Sequence, residues 1–251
     1  MRRLGYVLER WRKAGLVVPA IAALVVLGIL VSLGTWQLQR KAWKDQLLAD
    51  MATRMAAPPV DIGLGIFNIG AEKALAWTKV RLTGRFRHDK ERFWFADGRL
   101  GSGFHVFTPF EVAANQVVWI DRGYIPAALK DPTARAMGQI PGEVTITGIV
   151  HISGEKNSFT PGNDVAGNVW FWRDLPTLQA SAFVAEVIAA PVMVDDMLKA
   201  APGGWPEGGL EQLPQPHNRH LEYAVTWYGL AATLIGVFFA FTRERLRAAT
   251  E

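Results

Sequence analysis

A histidine at the start of an apolar segment is the residue best placed in this sequence to do chemistry. His220 precedes Ala224–Phe241, a run of eighteen residues without a charged side chain. At ~1.5 Å per residue a helix of this length spans about 27 Å, close to the ~30 Å hydrocarbon core of a bilayer. Pro214 and Pro216 are excluded from a helix interior, so we expect the helix to begin near Asn218. A titratable ring in the first turn of a membrane helix is therefore the strongest functional indication.

Trp227 is the second residue of this region that suits a ligand site. It follows His220 by two helical turns and lies within about 20° of the same direction around the helix axis. We expect both side chains to face one pocket, whose other wall is formed by Trp36, Gln37 and Arg40 at the outer end of an earlier apolar segment. The alternative, with equal weight, is that these residues face the membrane–water interface and line no pocket. Trp36 would then belong to an aromatic belt, and Arg40 would contact lipid phosphates.

Leu16–Thr35 is that earlier segment, an uncharged run of twenty residues that is long enough for a membrane span. It exceeds the ~7–15 apolar residues of a signal peptide, and no small-x-small cleavage site follows it, so we expect a retained anchor. Basic residues precede the first apolar segment and follow the second: Arg2, Arg3, Arg10, Arg12, Lys13, Arg243, Arg245 and Arg247. Since basic flanks favour the cytoplasmic side, both termini are expected in the cytoplasm and residues 36–222 outside it.

These features divide the chain into segments with different surroundings. We predict a cytoplasmic basic tail (1–15), a first transmembrane helix (16–35), a juxtamembrane helix (36–56), an extracytoplasmic β-rich domain (57–213), an interfacial segment (214–222), a second transmembrane helix (223–242) and a cytoplasmic tail (243–251). The first span has no presequence of the mitochondrial type in front of it. We therefore expect a bacterial inner membrane, with the central domain in the periplasm.

The central domain shows the period-two pattern of half-buried strands. In Thr78–His88, apolar Val80, Leu82 and Phe86 alternate with basic residues. Seven strands are predicted: Thr78–His88, Glu91–Ala96, Gly103–Val112, Gln116–Arg122, Glu143–Ile152, Asn168–Asp174 and Ala190–Val194. A helix over Leu175–Ile188, capped by Asp174, and loops over Ala56–Gly70 and Gly203–Gly209 complete the pattern. The predicted fold class is a membrane-anchored α+β protein, in which two transmembrane helices flank a mainly antiparallel, barrel-like β domain.

The remaining sequence does not indicate an enzyme. It contains no P-loop, GxGxxG, HExxH, CxxC or GxSxG motif, and without cysteine it forms no disulfide. His88, His105 and His151 lie on or beside predicted strands and are expected to be ordinary surface or core residues. His217 and His220 are spaced to share one metal ion, but no third ligand is adjacent. The net charge of +4 reflects in part the basic tails, and so it fits contact with membrane lipid better than nucleic-acid binding.

Five segments of the chain resemble the surfeit-locus protein family. They are LGTWQLQRKAWKDQLL after the first span, GFHVFTPF, DRGYIP, NVWFWRD, and QPHNRHLEYAVTWYGLA entering the second span. The similarity runs from span to span in the same order, with the same two-helix arrangement. Members of this family are membrane-anchored assembly factors of haem–copper cytochrome c oxidase.

The resemblance implies a role in the maturation of subunit I of the oxidase at the outer face of the membrane. Haem a would be bound transiently and handed over, with subunit I and haem a synthase as the partners. His220 would be the metal ligand to the haem iron, and Trp227 would lie against the macrocycle. Arg219 and Arg40 would bind the propionates, and Trp36 and Gln37 would complete the cofactor-binding wall.

Two hypotheses stay open on the sequence alone. In the first, the protein holds haem a; in the second, it is a haem-free scaffold that stabilises an assembly intermediate of subunit I. Under the second hypothesis His220 is an interfacial residue and Trp227 packs on the first span. A stripe of small residues in the second span would allow close approach of the first span or of a helix of subunit I: Ala232, Gly236 and Ala240.

Overall fold

A computed structural model describes residues 9–68, 70, 72–98, 101–152, 156–183, 187–197, 204–208 and 218–248. The chain forms two compact units, residues 1–50 with 215–251 and residues 51–214. The helices are α1 (Val17–Ala56), α2 (Glu72–Leu75), α3 (Leu175–Ala182) and α4 (His220–Ala248), and residues 9–13 are also helical. The strands are β1 (Val60–Asp61), β2 (Lys79–Phe86), β3 (Arg92–Gly98), β4 (Gly101–Ala113), β5 (Gln116–Pro126), β6 (Glu143–His151) and β7 (Ile188–Asp196).

The two long helices, α1 and α4, are each long and apolar enough to cross a membrane. Many of their large apolar side chains are exposed, among them Val18, Leu24, Ile29, Ile235, Val237 and Phe239. Such a surface is unfavourable in water but is well solvated by lipid tails, while the helix satisfies its own backbone hydrogen bonds. The protein is therefore a membrane protein with two candidate spans.

In the first unit α1 and α4 pack against each other in antiparallel directions. Side-chain contacts join Trp11 to Phe238, Thr35 to Tyr228 and Asp45 to Asn218. The buried and half-buried positions of α1 include 20, 23, 27, 30, 34, 37, 41, 44 and 48, and those of α4 include 220, 224, 227, 231, 234 and 238. Alternate spacings of three and four residues are the seam of a left-handed helix pair.

The small residues that lie in this seam are not the predicted ones. Ala224 and Ala231 of α4 are buried, being 1% and 5% exposed, whereas Ala232, Gly236 and Ala240 are exposed. The alternative in which this stripe meets Leu16–Thr35 is therefore wrong. The stripe lies on the far side of α4, because the seam follows a 3.5-residue period that passes through His220 and Trp227.

The second unit contains a closed five-stranded barrel. The strands pair in the ring β2–β6–β7–β5–β4, which closes through pairing of β4 with β2, and β1 and β3 attach at its edges. All pairs are antiparallel except β5 with β7 and β1 with β2, which are parallel. The predicted fold class, two helical spans flanking a mainly antiparallel barrel-like domain, is confirmed.

Two apolar clusters lie on the two faces of the barrel strands. The first holds the inward residues of the ring, including Val80, Leu82, Phe110, Val118, Ile120, Ile146 and Val194. The second is formed by residues of the opposite face together with α3, including Phe107, Trp119, Trp170, Leu178 and Met193. Strands β4 and β5 are thus buried on both faces, which is why their sequences are nearly continuous apolar runs.

Some predicted elements differ from the structure. Asn168–Asp174 is not a strand: it makes isolated bridges, Trp170 with Trp94 and Val169 with Asp164. Of its three consecutive aromatic residues, Trp170 is buried in the second cluster, and the backbone of Asn168 turns through a positive φ of 49°. The short strand β1 was instead predicted as part of a loop. That loop also holds a 3₁₀ turn, which places Ile66 in the barrel core.

The helix predicted over Leu175–Ile188 is correct at its start and too long at its end. Asp174 caps it by accepting from the backbone N–H of Thr177, as predicted. The helix ends at Ala182, because Phe183 is already extended and Ile188 begins β7. The return segment over Gly203–Gly209 is described from 204 to 208, where Glu207 pairs with Tyr124 through two backbone hydrogen bonds of 2.9 Å.

Candidate functional site

His220 is the first residue of α4 and is held there by two neighbours. Its ring Nδ1 lies 2.7 Å from the side-chain oxygen of Gln37, in the seam between α1 and α4. Its backbone N–H donates to the side-chain oxygen of Asn218, which acts as the helix cap. Asn218 in turn donates to Asp45 at 2.8 Å. The imidazole is therefore fixed in orientation by residues of both helices.

The contact with Gln37 determines which ring nitrogen of His220 is free. An amide oxygen only accepts hydrogen bonds, so an Nδ1–H donated to Gln37 leaves the lone pair on Nε2. Among the residues that the structure describes, Nε2 has no hydrogen-bond partner. Metal-binding histidines have this arrangement, in which one ring nitrogen donates to a neighbouring carbonyl and the other binds the metal. One ring nitrogen of His220 is thus not engaged by the described side chains.

The other predicted site residues are placed differently. Trp227 lies in the same seam as His220 and is half-buried. Trp36 and Arg40 lie one residue before the seam positions 37 and 41, and both are exposed. The Arg40 guanidinium lies over the ring of Trp43 at 4.0 Å. Arg219 is also exposed. The structure therefore brings Gln37 and Trp227 to the same face as His220 and leaves two arginines and one tryptophan beside it.

These residues fit a haem group in part. The fixed Nε2 of His220 supplies a ligand, and Trp227 supplies an aromatic wall. His217 lies outside the described residues, and within them no group of three His, Asp or Glu side chains is arranged to hold a metal ion.

An apolar groove of about 470 Å³ lies at the opposite end of the helix pair. It is lined by residues of both helices and of the preceding turn, including Trp11, Ala20, Leu24, Ile235 and Phe239. Along α4 it is about 20 Å from His220, at ~1.5 Å per residue. The groove is therefore separate from the predicted histidine site.

A second group of titratable side chains was missed by the sequence analysis. His105, Asp121, Arg173, Asp195 and His151 come together beside a pocket of about 330 Å³ in the barrel unit. The two histidines were predicted to be ordinary surface or core residues, because they are far apart in sequence and follow no known motif. One sequence feature could have indicated this group. Two apolar runs are each followed directly by a pair of charged residues, Asp121-Arg122 and Asp195-Asp196.

A closed five-stranded barrel with two candidate membrane spans defines a class of membrane-anchored barrel proteins. The model of the SURF1 family matches residues 24–232 of the chain. Surfeit locus protein 1 of Gallus gallus is 33% identical over 243 residues, which covers 89% of this chain and 73% of that protein. The protein of the same name from Homo sapiens is 33% identical over 224 residues (82% and 72%). A SURF1-like protein of Monosiga brevicollis is 30% identical over 236 residues (89% and 87%).

The chain belongs to the SURF1 family. This is the surfeit-locus family that the five sequence segments resemble, a family of cytochrome c oxidase assembly factors. The matched residues include most of α1, the start of α4 as far as residue 232, and the whole barrel. They also include the predicted site residues His220, Trp227, Gln37 and Arg40.

Proposed function

We propose that this protein assists the maturation of subunit I of a haem–copper cytochrome c oxidase by holding haem a and handing it over. Membership of a family of oxidase assembly factors supports the general role. The observation that carries the finer proposal is the hydrogen bond between His220 Nδ1 and Gln37, because it leaves Nε2 free as a ligand. Haem a would supply the redox centre that the mature oxidase uses.

The protein's own residues would act in three ways. His220 would hold the iron through Nε2, the ring nitrogen that the described side chains leave unengaged. Gln37 fixes the tautomer and the ring orientation, and Trp227 packs against the macrocycle. The exposed guanidinium groups of Arg40 and Arg219 lie beside the seam, where they can bind propionates or lipid phosphates.

The proposed location is the outer face of a bacterial inner membrane. Basic residues flank each span on the side of its chain terminus, which supports two cytoplasmic termini and a periplasmic barrel. His220 then lies at the periplasmic end of α4. Haem a synthase is the proposed source of the cofactor and subunit I its recipient.

The test is an absorption spectrum of the full-length protein purified from cells that make haem a. We expect a haem a spectrum from the unchanged protein and its loss, or a strong reduction, in His220→Ala. His151→Ala is the matched control, because this histidine lies in the barrel unit. Both variants should be present in the membrane in equal amounts. A full spectrum in His220→Ala would contradict the assignment of the ligand.

A haem-free scaffold for subunit I is the alternative, and one observation favours it. The stripe of Ala232, Gly236 and Ala240 is exposed, and a Cβ atom on Gly236 would meet nothing within 4 Å. A partner helix can therefore approach α4 closely at this face. Gly236→Leu should reduce co-purification of subunit I without lowering stability, and Gly28→Leu, at another open position, is the control. Co-purification without haem in any preparation would favour the scaffold.

A further inference from the structure

A pocket of about 330 Å³ on the barrel unit has a charged wall that the proposed function does not use. Asp121 of β5 and Asp195 of β7 are paired in register on neighbouring parallel strands. Their neighbours Ile120 and Val194 point into the barrel core. Because successive side chains of a strand point to opposite faces, both carboxylates leave the outer face of the barrel.

The two carboxylates share one guanidinium. Arg173 donates to Asp121 through Nη2 and to Asp195 through Nη1, each at 2.9 Å. His105 Nδ1 lies 2.9 Å from the other oxygen of Asp121, which also accepts the backbone N–H of Gly123. Burial lowers the pKa of His105, but the charge and hydrogen bond of Asp121 outweigh it and raise this pKa above its usual value. Both carboxylate oxygens of Asp121 thus have hydrogen-bond partners.

Only one of the two carboxylate oxygens of Asp195 accepts a hydrogen bond from the described residues. The residue is 4% exposed, and Oδ2 accepts no hydrogen bond from the residues that the structure describes. Nδ1 of His151 lies 3.4 Å from it but is not aligned for a hydrogen bond and has no other partner in the described chain. A buried acceptor without a donor is unfavourable, so a bound donor at this position would be stabilising.

The surroundings of Asp195 select a positively charged donor. Three carboxylates of the lining, those of Asp121, Asp195 and Glu207, face a single guanidinium, that of Arg173, beside two imidazoles. Asp196 alternates with Asp195 along β7 and so leaves the opposite face, where its charge acts on Arg122. No trio of His, Asp or Glu within the described residues is arranged for a metal ion. The free oxygen therefore suits an N–H donor rather than a metal.

Two indole rings and the size of the pocket define the shape of the ligand. Trp77 and Trp94 both line it, and the guanidinium of Arg173 already lies over the ring of Trp94 at 5.0 Å, so this wall accommodates a cation. Trp77 also has a positive φ of 63°, a conformation that a bulky residue adopts only when its surroundings enforce it. The volume of about 330 Å³ greatly exceeds the ~30 Å³ of one water molecule. A single bridging water would leave most of it unfilled.

We propose that this pocket binds a cationic N–H donor group, an alkylammonium or a guanidinium, through the free carboxylate oxygen of Asp195, with Trp77 and Trp94 as its walls. The group belongs either to a small amine or to a lysine or arginine side chain of a partner polypeptide. This inference is independent of haem binding, because it uses only residues of the barrel unit.

The test follows the imidazole nitrogen signals of the full-length protein in detergent, labelled with ¹⁵N-histidine. The chain has only five histidines, and His→Gln variants assign His105 and His151. We expect N-ethylguanidinium and butylammonium to shift both signals saturably, with a Kd of about 1 mM. N-ethylurea, the neutral analogue of the guanidinium, should bind at least about tenfold more weakly. Equal binding of the urea, or no saturable shift with either cation, would overturn the proposal on the unmodified protein.

A variant and a peptide pair complete the experiment. Asp195→Asn should weaken cation binding at least about tenfold, whereas Asp61→Asn, an exposed carboxylate at another surface, should leave it unchanged. Equal weakening by both would overturn the assignment to Asp195. Gly-Arg-Gly and Gly-citrulline-Gly amides identify the source. Tighter binding of the arginine peptide than of ethylguanidinium assigns a polypeptide partner, and weaker binding assigns a small amine.

Discussion

A Cβ atom on Gly34 of α1 would lie 2.9 Å from Cε1 and Cζ of the Tyr228 ring of α4. The two helices therefore approach each other as closely as they do because residue 34 has no side chain. Thr35, the next residue, makes a 3.1 Å hydrogen bond with the Tyr228 hydroxyl and fixes the same ring from its polar end.

We predict that Gly34→Leu separates α1 from α4 and destabilises the helix pair by about 1–3 kcal/mol, the usual range for overpacking. Gly28→Leu is the matched control, because a Cβ atom there meets nothing within 4 Å. The measurement is the thermal unfolding midpoint in detergent, together with the amount of protein in the membrane. Equal midpoints for the two variants would contradict the close contact.

Replacement of Gln37 tests the proposed role of the hydrogen bond to His220. Gln37→Leu removes the acceptor and should weaken haem a binding about 10–100-fold, the range found when partners of metal-binding histidines are lost. Gln37→Glu keeps an acceptor and should retain binding. The control is Gln39→Leu, an exposed position two residues along α1. Unchanged haem affinity in Gln37→Leu would show that the ring is not positioned by this contact.

We expect the ionised side chain of Glu91 to stabilise the barrel unit at neutral pH and to lose this contribution in acid. Burial raises its pKa, but hydrogen bonds from His88 and Arg135 and the charges of Arg135 and Arg122 outweigh this and lower the pKa from 4.5 to about 2. A carboxylate whose pKa is lowered by folding stabilises the protein at pH values above its pKa in the unfolded chain. It loses this contribution as the pH falls through its pKa in the folded protein.

We therefore predict that Glu91→Gln lowers stability at pH 7 by about 3 kcal/mol, as an upper estimate from this shift. The difference in the free energy of unfolding between Glu91→Gln and the unchanged protein should become smaller as the pH falls from 4.5 to about 2. Glu111→Gln, which removes a partly exposed ion pair with Arg87, should cost less than about 1 kcal/mol. Denaturant titrations across this pH range measure both variants, and a constant difference would refute the linkage.

The absence of native cysteine makes the proposed topology directly measurable. Glu143→Cys lies at the exposed start of β6 and Arg245→Cys near the end of α4. A membrane-impermeant maleimide that reaches the periplasm should label residue 143 in intact cells and residue 245 only after the membrane is broken. The reverse pattern would place the barrel in the cytoplasm.

The fold class was predictable because its signals are periodic. The alternation of Val80, Leu82 and Phe86 with basic residues gave β2 and its buried face correctly. Asn168–Asp174 is rich in aromatic residues but packs as an irregular segment, because tertiary contacts of Trp170 replace strand pairing. The two-residue β1 is too short to produce any period.

The candidate site was predictable only along one helix. The seven-residue spacing places His220 and Trp227 on one face, and both lie in the seam. The facing residue of α1 depends on the register between two helices, which no local pattern encodes. The regular face through Trp36 and Arg40 is exposed, and Gln37, one residue on, makes the contact. The barrel pocket was missed for the same reason, since its titratable residues come from distant segments.

The order of strands in the ring has a consequence for how the protein is made. β7 is the last strand of the described residues, yet it lies between β5 and β6. Until it is synthesised, β5 and β6 each carry an open edge that is prone to wrong pairing. The barrel therefore closes only once the chain has been made as far as Asp196. A chain truncated before Ile188 should be degraded faster than the full-length protein.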